Sequence, residues 1–150
     1  IDRYSIKYVR EKLKNEDFSN TFVTQAGYGE IIDYKIDFLV VSKDEIDVIE
    51  ANRLLNDNFV TWILLTSGNL PARLLSKDGV VEITPPDFKT INSTGAGDVT
   101  AAYIGAHGID DVITTTRNAC AAGAIVAGTS SLPTIEKIKE VSELVEIKPR

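Results

Sequence analysis

Two nearly uninterrupted apolar runs, Phe38-Leu39-Val40-Val41 and Val60 to Leu65, do most to limit the folds open to this chain. A strand with one wet face alternates apolar and polar residues. A strand apolar at almost every position needs cover on both faces, which is the mark of a buried parallel strand. Helices supply that cover in α/β domains. The segments around the runs have the period for it. Ser5 to Lys14 carries Ile6, Val9 and Leu13 on one helical face. The stretch after Val41 is expected to be a helix capped by Ser42, with Glu45 closing a capping box and Ile46, Ile49 and Leu54 on its apolar stripe. Thr21 to Thr24 is β-branched and aromatic and reads as a further strand. Asn56-Asp57-Asn58 and Ser67-Gly68-Asn69 are breaks.

The second half changes character. Ala72 to Leu75 and Val80 to Ile83 flank Ser76-Lys77-Asp78-Gly79, a hairpin signal. Pro85-Pro86 opens an extended connection into a polar, glycine-rich loop over 92–97. Three helical segments follow. Asp98 to His107 and Asp110 to Ala127 are rich in small residues, and Thr134 to Ile147 carries Ile135, Ile138, Val141 and Leu144 on one stripe. The pattern predicts a three-layer αβα fold, a mostly parallel doubly wound sheet with one antiparallel hairpin. About three parallel strands are few for such a sheet. The chain also begins at Ile1 and holds no methionine. Residues 1–150 are therefore expected to be a single partial domain.

Composition removes several function classes. The net charge of -6 over 150 residues repels phosphate backbones, so nucleic acid is not an expected partner. Cys120 is the one cysteine and cannot form an internal disulfide, which fits a reducing, cytoplasmic setting. The longest small-apolar stretch, Ala119 to Gly128, falls short of the roughly 20 residues a spanning helix needs. The charged start Ile1-Asp2-Arg3-Tyr4 does not lead into a signal-peptide core.

The stretch Asn92-Ser93-Thr94-Gly95-Ala96-Gly97-Asp98 carries the chemistry. Glycines before a helix let the backbone turn sharply and leave N–H groups unshielded. With the helix dipole behind them, those groups form an anion site. Asp98 falls in the first helical turn. A carboxylate beside a bound phosphate serves no binding purpose, but it can take a proton from an attacking hydroxyl. Phosphoryl transfer needs this pair of features. The spacing alone equally fits a plain loop with a dipole-favoured Asp at a helix start.

Ser93-Thr94-Gly95-Ala96-Gly97-Asp98 resembles the signature of the ribokinase-like (PfkB) carbohydrate kinases, usually Asp-Thr-Thr-Gly-Ala-Gly-Asp. The likeness extends into Thr100 to Gly105 and into the alanine-rich Arg117 to Ala124. Thr66-Ser67-Gly68 is similar to the family's Thr-x-Gly, and Ser42-Lys43-Asp44-Glu45 to its Asn-x-x-Glu. These blocks stand in family order across residues 20–135. The resemblance implies ATP-dependent transfer of a γ-phosphoryl group to a hydroxyl of a sugar, polyol or nucleoside, with Mg²⁺. Asp98 would be the catalytic base, and Gly95, Ala96 and Gly97 would form the anion hole. Thr66 and Gly68 would contact phosphates or ribose, with Thr94 a further nucleotide contact. Cys120 and Gly123 would line the adenine pocket, and Glu45 would organise Mg²⁺ through water.

The departures matter too. Ser42 replaces the usual Asn, and Asn92 replaces an Asp that in many relatives belongs to a monovalent-cation site. That leaves backbone oxygens of Gly128, Thr129 and Ser130 as candidates for such a cation. Relatives are about twice this length, so the resemblance implies that the N-terminal half, its lid and most acceptor contacts are missing or lie on a partner chain. Pairing into a homo-oligomer would run through that lid. The alternative is a non-catalytic nucleotide-binding or regulatory module derived from such a kinase.

Other features take ordinary readings. Gly27-Tyr28-Gly29 is a turn, since Ile32 stands where a dinucleotide fingerprint needs glycine. No Gly-Lys-Ser/Thr occurs, which excludes a P-loop. His107, before Gly108, caps a helix end; Trp62 and Cys120 pack in the core; Lys7, Arg10, Lys12 and Lys14 form a solvated face.

Overall fold

The computed structural model describes Val23–Gln25 and residues 36–149. The expected helix over 5–14, its basic face and the turn at Gly27-Tyr28-Gly29 lie outside the described residues. Among the described residues six strands form one sheet in chain order: β1 (Val23–Gln25), β2 (Ile36–Ser42), β3 (Val60–Ser67), β4 (Leu70–Ser76), β5 (Gly79–Thr84) and β6 (Glu146–Pro149). The pairs β1–β2 and β2–β3 are parallel. From β3 to β6 every pairing is antiparallel. The hairpin forms where Asp-Gly predicts it. The antiparallel part is larger than that hairpin because β4 also pairs antiparallel with β3 and β6 joins β5, with Ile147 opposite Ile83. The described α/β sheet is therefore mixed, two parallel pairs and three antiparallel, where the sequence pattern predicts a mostly parallel one.

Both faces of the sheet are covered, as the continuous apolar runs require. On one side Ile36, Leu39, Val41, Ile63 and Leu65 meet Ala51, Leu54 and Leu55 of helix α1 (Val48–Asn56). On the other, Phe38, Val40, Leu64, Leu74 and Ile83 meet three helices, α2 (Ala96–His107), α3 (Val112–Thr129) and α4 (Ile135–Ser142). Consecutive residues of β2 thus enter different cores. Each such fully buried side chain contributes about 1.5–3 kcal/mol. Trp62 is half-buried against the three-helix side.

Three element boundaries differ from expectation. Ser42 does not cap α1. Its N–H does donate to Glu45 Oε2 (2.8 Å), but that bond closes a turn over residues 42–46. The cap is Asp47, which accepts from Glu50 N–H at 2.8 Å. Starting at Val48 turns the stripe to Ala51, Leu54 and Leu55, leaving Ile49 80% exposed. Helix α3 starts after Asp111, whose carboxylate accepts from Thr114 N–H (3.1 Å) and is held below its ordinary pKa by that bond. Helix α4, capped by Thr134, stops at Ser142 rather than running to Ile147. Leu144 is left exposed and the chain turns to lay Ile147 in β6.

Candidate active site

The site lies past the C-terminal ends of β2 and β3, where open α/β sheets bind ligands. It is closed from the helical side by the loop before α2 and by one face of α3. Between them is a cavity of about 370 Å³. Ser42, Asp44 and Glu45 come from the turn after β2, and Thr66 and Gly68 from the end of β3. Ala96, Gly97 and Thr100 come from the start of α2, and Cys120, Gly123, Ala124 and Ala127 from α3.

The loop before α2 is held by its backbone. Ile91 and Asn92 N–H groups both donate to Ala127 O, at 2.8 and 3.0 Å. Asn92 Oδ1 accepts from Thr94 N–H at 2.9 Å, an Asx turn. Ala96 N–H donates to Ser93 O at 3.2 Å. Gly95 then caps α2 at φ 83° and ψ -8°, with no side-chain cap bond. An L-residue in that left-handed conformation costs roughly 1–2 kcal/mol, so glycine is needed for its backbone. The next free donors are Gly97 and Asp98 N–H, since the first N–H groups of a helix have no intrahelical acceptor. Val99 N–H already reaches Gly95 O at 3.0 Å.

The expected site residues do not all stand alike. Glu45, Thr66, Gly68, Ala96, Gly97, Cys120 and Gly123 line the one cavity. Thr94, Gly95 and Asp98 adjoin it in sequence without lining it. Asp98 is exposed in the first turn of α2. Thr66 Oγ1 donates to Val41 O at 3.3 Å, which ties the two parallel strand ends together. Gly68 takes φ +62° to turn β3 into β4. Desolvation pushes the half-buried Cys120 thiol up to about 12, so at neutral pH it is a neutral part of the cavity wall. His107 behaves as a helix-end residue, with Nδ1 3.0 Å from Tyr103 O and its ring stacked on Tyr103 at 3.9 Å.

Thr100 is a residue that sequence reasoning passed over. It is 5% exposed, and its Oγ1 lies 2.9 Å from Ala96 O and 3.3 Å from Ala119 O. A hydroxyl inside a small-residue helix was its only signal. Asn92 gains a role as well, since its carboxamide shapes the loop. Gly128 and Thr129 close α3 and Ser130 caps it at φ 56°, with Thr129 Oγ1 donating to Ile125 O at 2.7 Å. For a divalent metal, no group of three or more His, Cys, Asp or Glu among the described residues could hold one alone. The two carboxylates that line the cavity, Asp44 and Glu45, stand side by side on the turn after β2, and Glu45 is the one expected to meet a Mg²⁺ that keeps part of its water and arrives with phosphates. No helix among the described residues is long and apolar enough to cross a membrane.

The family model for pfkB family carbohydrate kinases matches residues 21–137. Solved structures share the fold. A candidate phosphofructokinase from Staphylococcus aureus is 24% identical with a TM-score of 0.69, covering 79% of this chain and 44% of that one. A nucleoside kinase from Methanocaldococcus jannaschii, described as an archaeal member of the ribokinase family, is 28% identical with a TM-score of 0.57, over 72% and 40%. A ribokinase from Thermotoga maritima is 19% identical with a TM-score of 0.60, over 72% and 42%. The chain spans less than half the length of these proteins. No curated protein matches it.

Proposed function

The chain belongs to the pfkB family of carbohydrate kinases, and from that premise we propose that it is the nucleotide-binding and catalytic part of an ATP-dependent kinase. The acceptor is a hydroxyl of a sugar, polyol or nucleoside, chosen by residues in the further length that the solved relatives carry. The observation that carries this reading is the start of α2. An uncapped, left-handed Gly95 leaves the Gly97 and Asp98 N–H groups without intrahelical acceptors, and Ala96 and Gly97 line the cavity.

In this reading the acceptor oxygen attacks the γ-phosphorus as its proton passes to the Asp98 carboxylate. The bond from the γ-phosphorus to the β–γ bridging oxygen breaks, and ADP leaves. The N–H groups at the start of α2 meet the charge spread over the transferred phosphoryl. Of the expected hole of Gly95, Ala96 and Gly97, Ala96 N–H is turned to Ser93 O, so this reading relies on Gly97 and adds Asp98 N–H beside it. Thr66 and Gly68 bound the phosphate side, and Cys120 and Gly123 the base side. Mg²⁺ bound with the phosphates supplies neutralisation of their charge, and Glu45 is the residue that would hold it through water. The acidic surface and lone cysteine fit a cytoplasmic enzyme, with assembly into a homo-oligomer left to the rest of the protein.

The test is Asp98→Ala in the protein that carries this chain, assayed with ATP against a panel of sugars, polyols and nucleosides. Turnover is expected to fall about 10²–10⁴-fold, with ATP affinity nearly unchanged. Turnover within two-fold of the parent would remove Asp98 from the mechanism. ATP binding without turnover in the parent on any acceptor would leave the non-catalytic nucleotide-binding module as the better reading.

A further inference from the structure

We propose that Thr100 and Gly123 form a clamp between α2 and α3 that positions the anion-binding turn, with Thr100 acting as a positioning residue. The inference rests on the kinase reading above for its ligand, though not for its geometry. A hydroxyl within a helix ordinarily bonds back to the carbonyl four residues earlier. Thr100 does this to Ala96 O at 2.9 Å, yet its oxygen also stands 3.3 Å from Ala119 O on α3. Its one proton is shared between two helices. The second contact depends on Gly123. A Cβ at that position would lie 2.5 Å from Thr100 Oγ1 and 3.1 Å from Ala96 O.

The other end of the loop is gripped by the same helix, through Ile91 and Asn92 N–H to Ala127 O. Ala119, Gly123 and Ala127 are spaced by four and form one stripe of α3. The turn from Asn92 to Ala96 is thus held at both ends by a single rigid element. Cys120 and Ala124 of that element face the cavity. Gly95 has no side-chain cap of its own. Where the α2 donors point is therefore set from α3, and small misplacements of such donors are costly to transfer chemistry.

The test compares Thr100→Val, which keeps shape and removes the donor, with Thr100→Ser, which keeps the donor. Thr100→Ala serves if the valine methyl prevents folding. Two quantities are read in the full chain. One is hydrogen exchange of the Val99 amide, whose acceptor is Gly95 O. The other is the ratio of affinities for a non-hydrolysable ATP analogue and for adenosine, which lacks phosphates. In Thr100→Val the amide is expected to exchange about ten-fold faster, and the ratio to fall about ten-fold, the effect of one hydrogen bond. Thr100→Ser should stay within about three-fold of the parent on both. Unchanged exchange in a folded Thr100→Val or Thr100→Ala protein overturns the clamp. So does an equal loss in Thr100→Ser, which would make the role one of volume. If the parent binds neither nucleotide probe, the kinase reading fails, and the exchange result still decides the clamp.

Discussion

Replacing Gly123 by alanine tests the close approach of α2 and α3 directly. Gly123 is helical and buried, so the intrinsic effect favours alanine by about 1 kcal/mol. The surroundings oppose it. The added Cβ would sit 2.5 Å from Thr100 Oγ1 and 3.1 Å from Ala96 O, against an ordinary contact of about 3.5 Å. The hydroxyl must retreat by about 1 Å and lose a buried bond worth about 1 kcal/mol, while the backbone oxygen cannot swing aside. Overpacking of this kind costs about 1–3 kcal/mol. The net is a loss of about 1–3 kcal/mol, or a melting temperature lower by about 3–10 °C for a chain of this size. Thr100→Ala removes the clashing oxygen. In that background the same substitution should cost less than about 1 kcal/mol, so the double-mutant cycle should show about 1–2 kcal/mol of coupling. Urea and thermal unfolding of the four proteins measures it. A Gly123→Ala protein that melts higher than the parent, or a cycle that is additive, would refute the packing argument.

Other substitutions probe other parts of the structure. Asp47→Ala should cost about 1 kcal/mol and lower the melting temperature by about 2–4 °C, whereas Ser42→Ala should change it less, because it removes only an exposed 3.2 Å bond from Asp44 N–H and leaves Glu45 on the Ser42 backbone N–H. Gly95→Ala should destabilise by about 1–2 kcal/mol from its φ of 83°, with Gly95→Asn milder; equal melting curves for the two would contradict a left-handed residue there. The Cys120 thiol, raised from its ordinary 9.0 to about 12, should react with iodoacetamide about 10³-fold more slowly in the folded chain than in urea at pH 8. Because its pKa is higher folded than unfolded, the protonated folded state is favoured below pH 9.0 and loses ground up to about 12. Stability should therefore fall with rising pH across that window, by up to about 1.4 kcal/mol per unit. A flat alkaline stability profile would place the thiol in water.

The parts of the fold that could be read from sequence are those where one local rule dominates. Phe38 to Val41 and Val60 to Leu65 are apolar throughout because both sheet faces are covered, and both became central strands. Asp78-Gly79 gave the hairpin because few residues tolerate the φ of +154° that Gly79 takes. The misplaced boundaries come from competition between equal signals. Ser42 N–H donates to the Glu45 carboxylate in a turn, while five residues on the Asp47 carboxylate accepts from Glu50 N–H and caps the helix. The stripe Ile138, Val141, Leu144 suits a helix as far as it goes. What ends it is the pairing of Ile147 with Ile83, more than sixty positions away. A four-residue strand has too little period of its own to announce that.

The site divides in the same way. Gly95 and Asp98 were visible because backbone conformation and helix position are local properties. Thr100 was not, since its second contact exists only when α3 lies against α2. The division also bears on what the cavity can hold. Several of its polar side chains are already engaged, Thr66 with Val41 O, Glu45 with Ser42 N–H and Thr100 with Ala96 O. The α3 wall, with Cys120, Gly123, Ala124 and Ala127, offers small apolar surface and a thiol that stays neutral. The backbone N–H groups at the start of α2 add donors beside a positive dipole end, and Asp44, Asn69, Thr90 and Ser93 add polar side chains to the same cavity. Such a cavity suits a molecule with one anionic end and one flat apolar end, and the two ends are held to each other by α3. In the proposed kinase reading, a change at Thr100, which touches the start of α2 and not the wall lined by Cys120 and Ala124, should therefore be felt first by the phosphates.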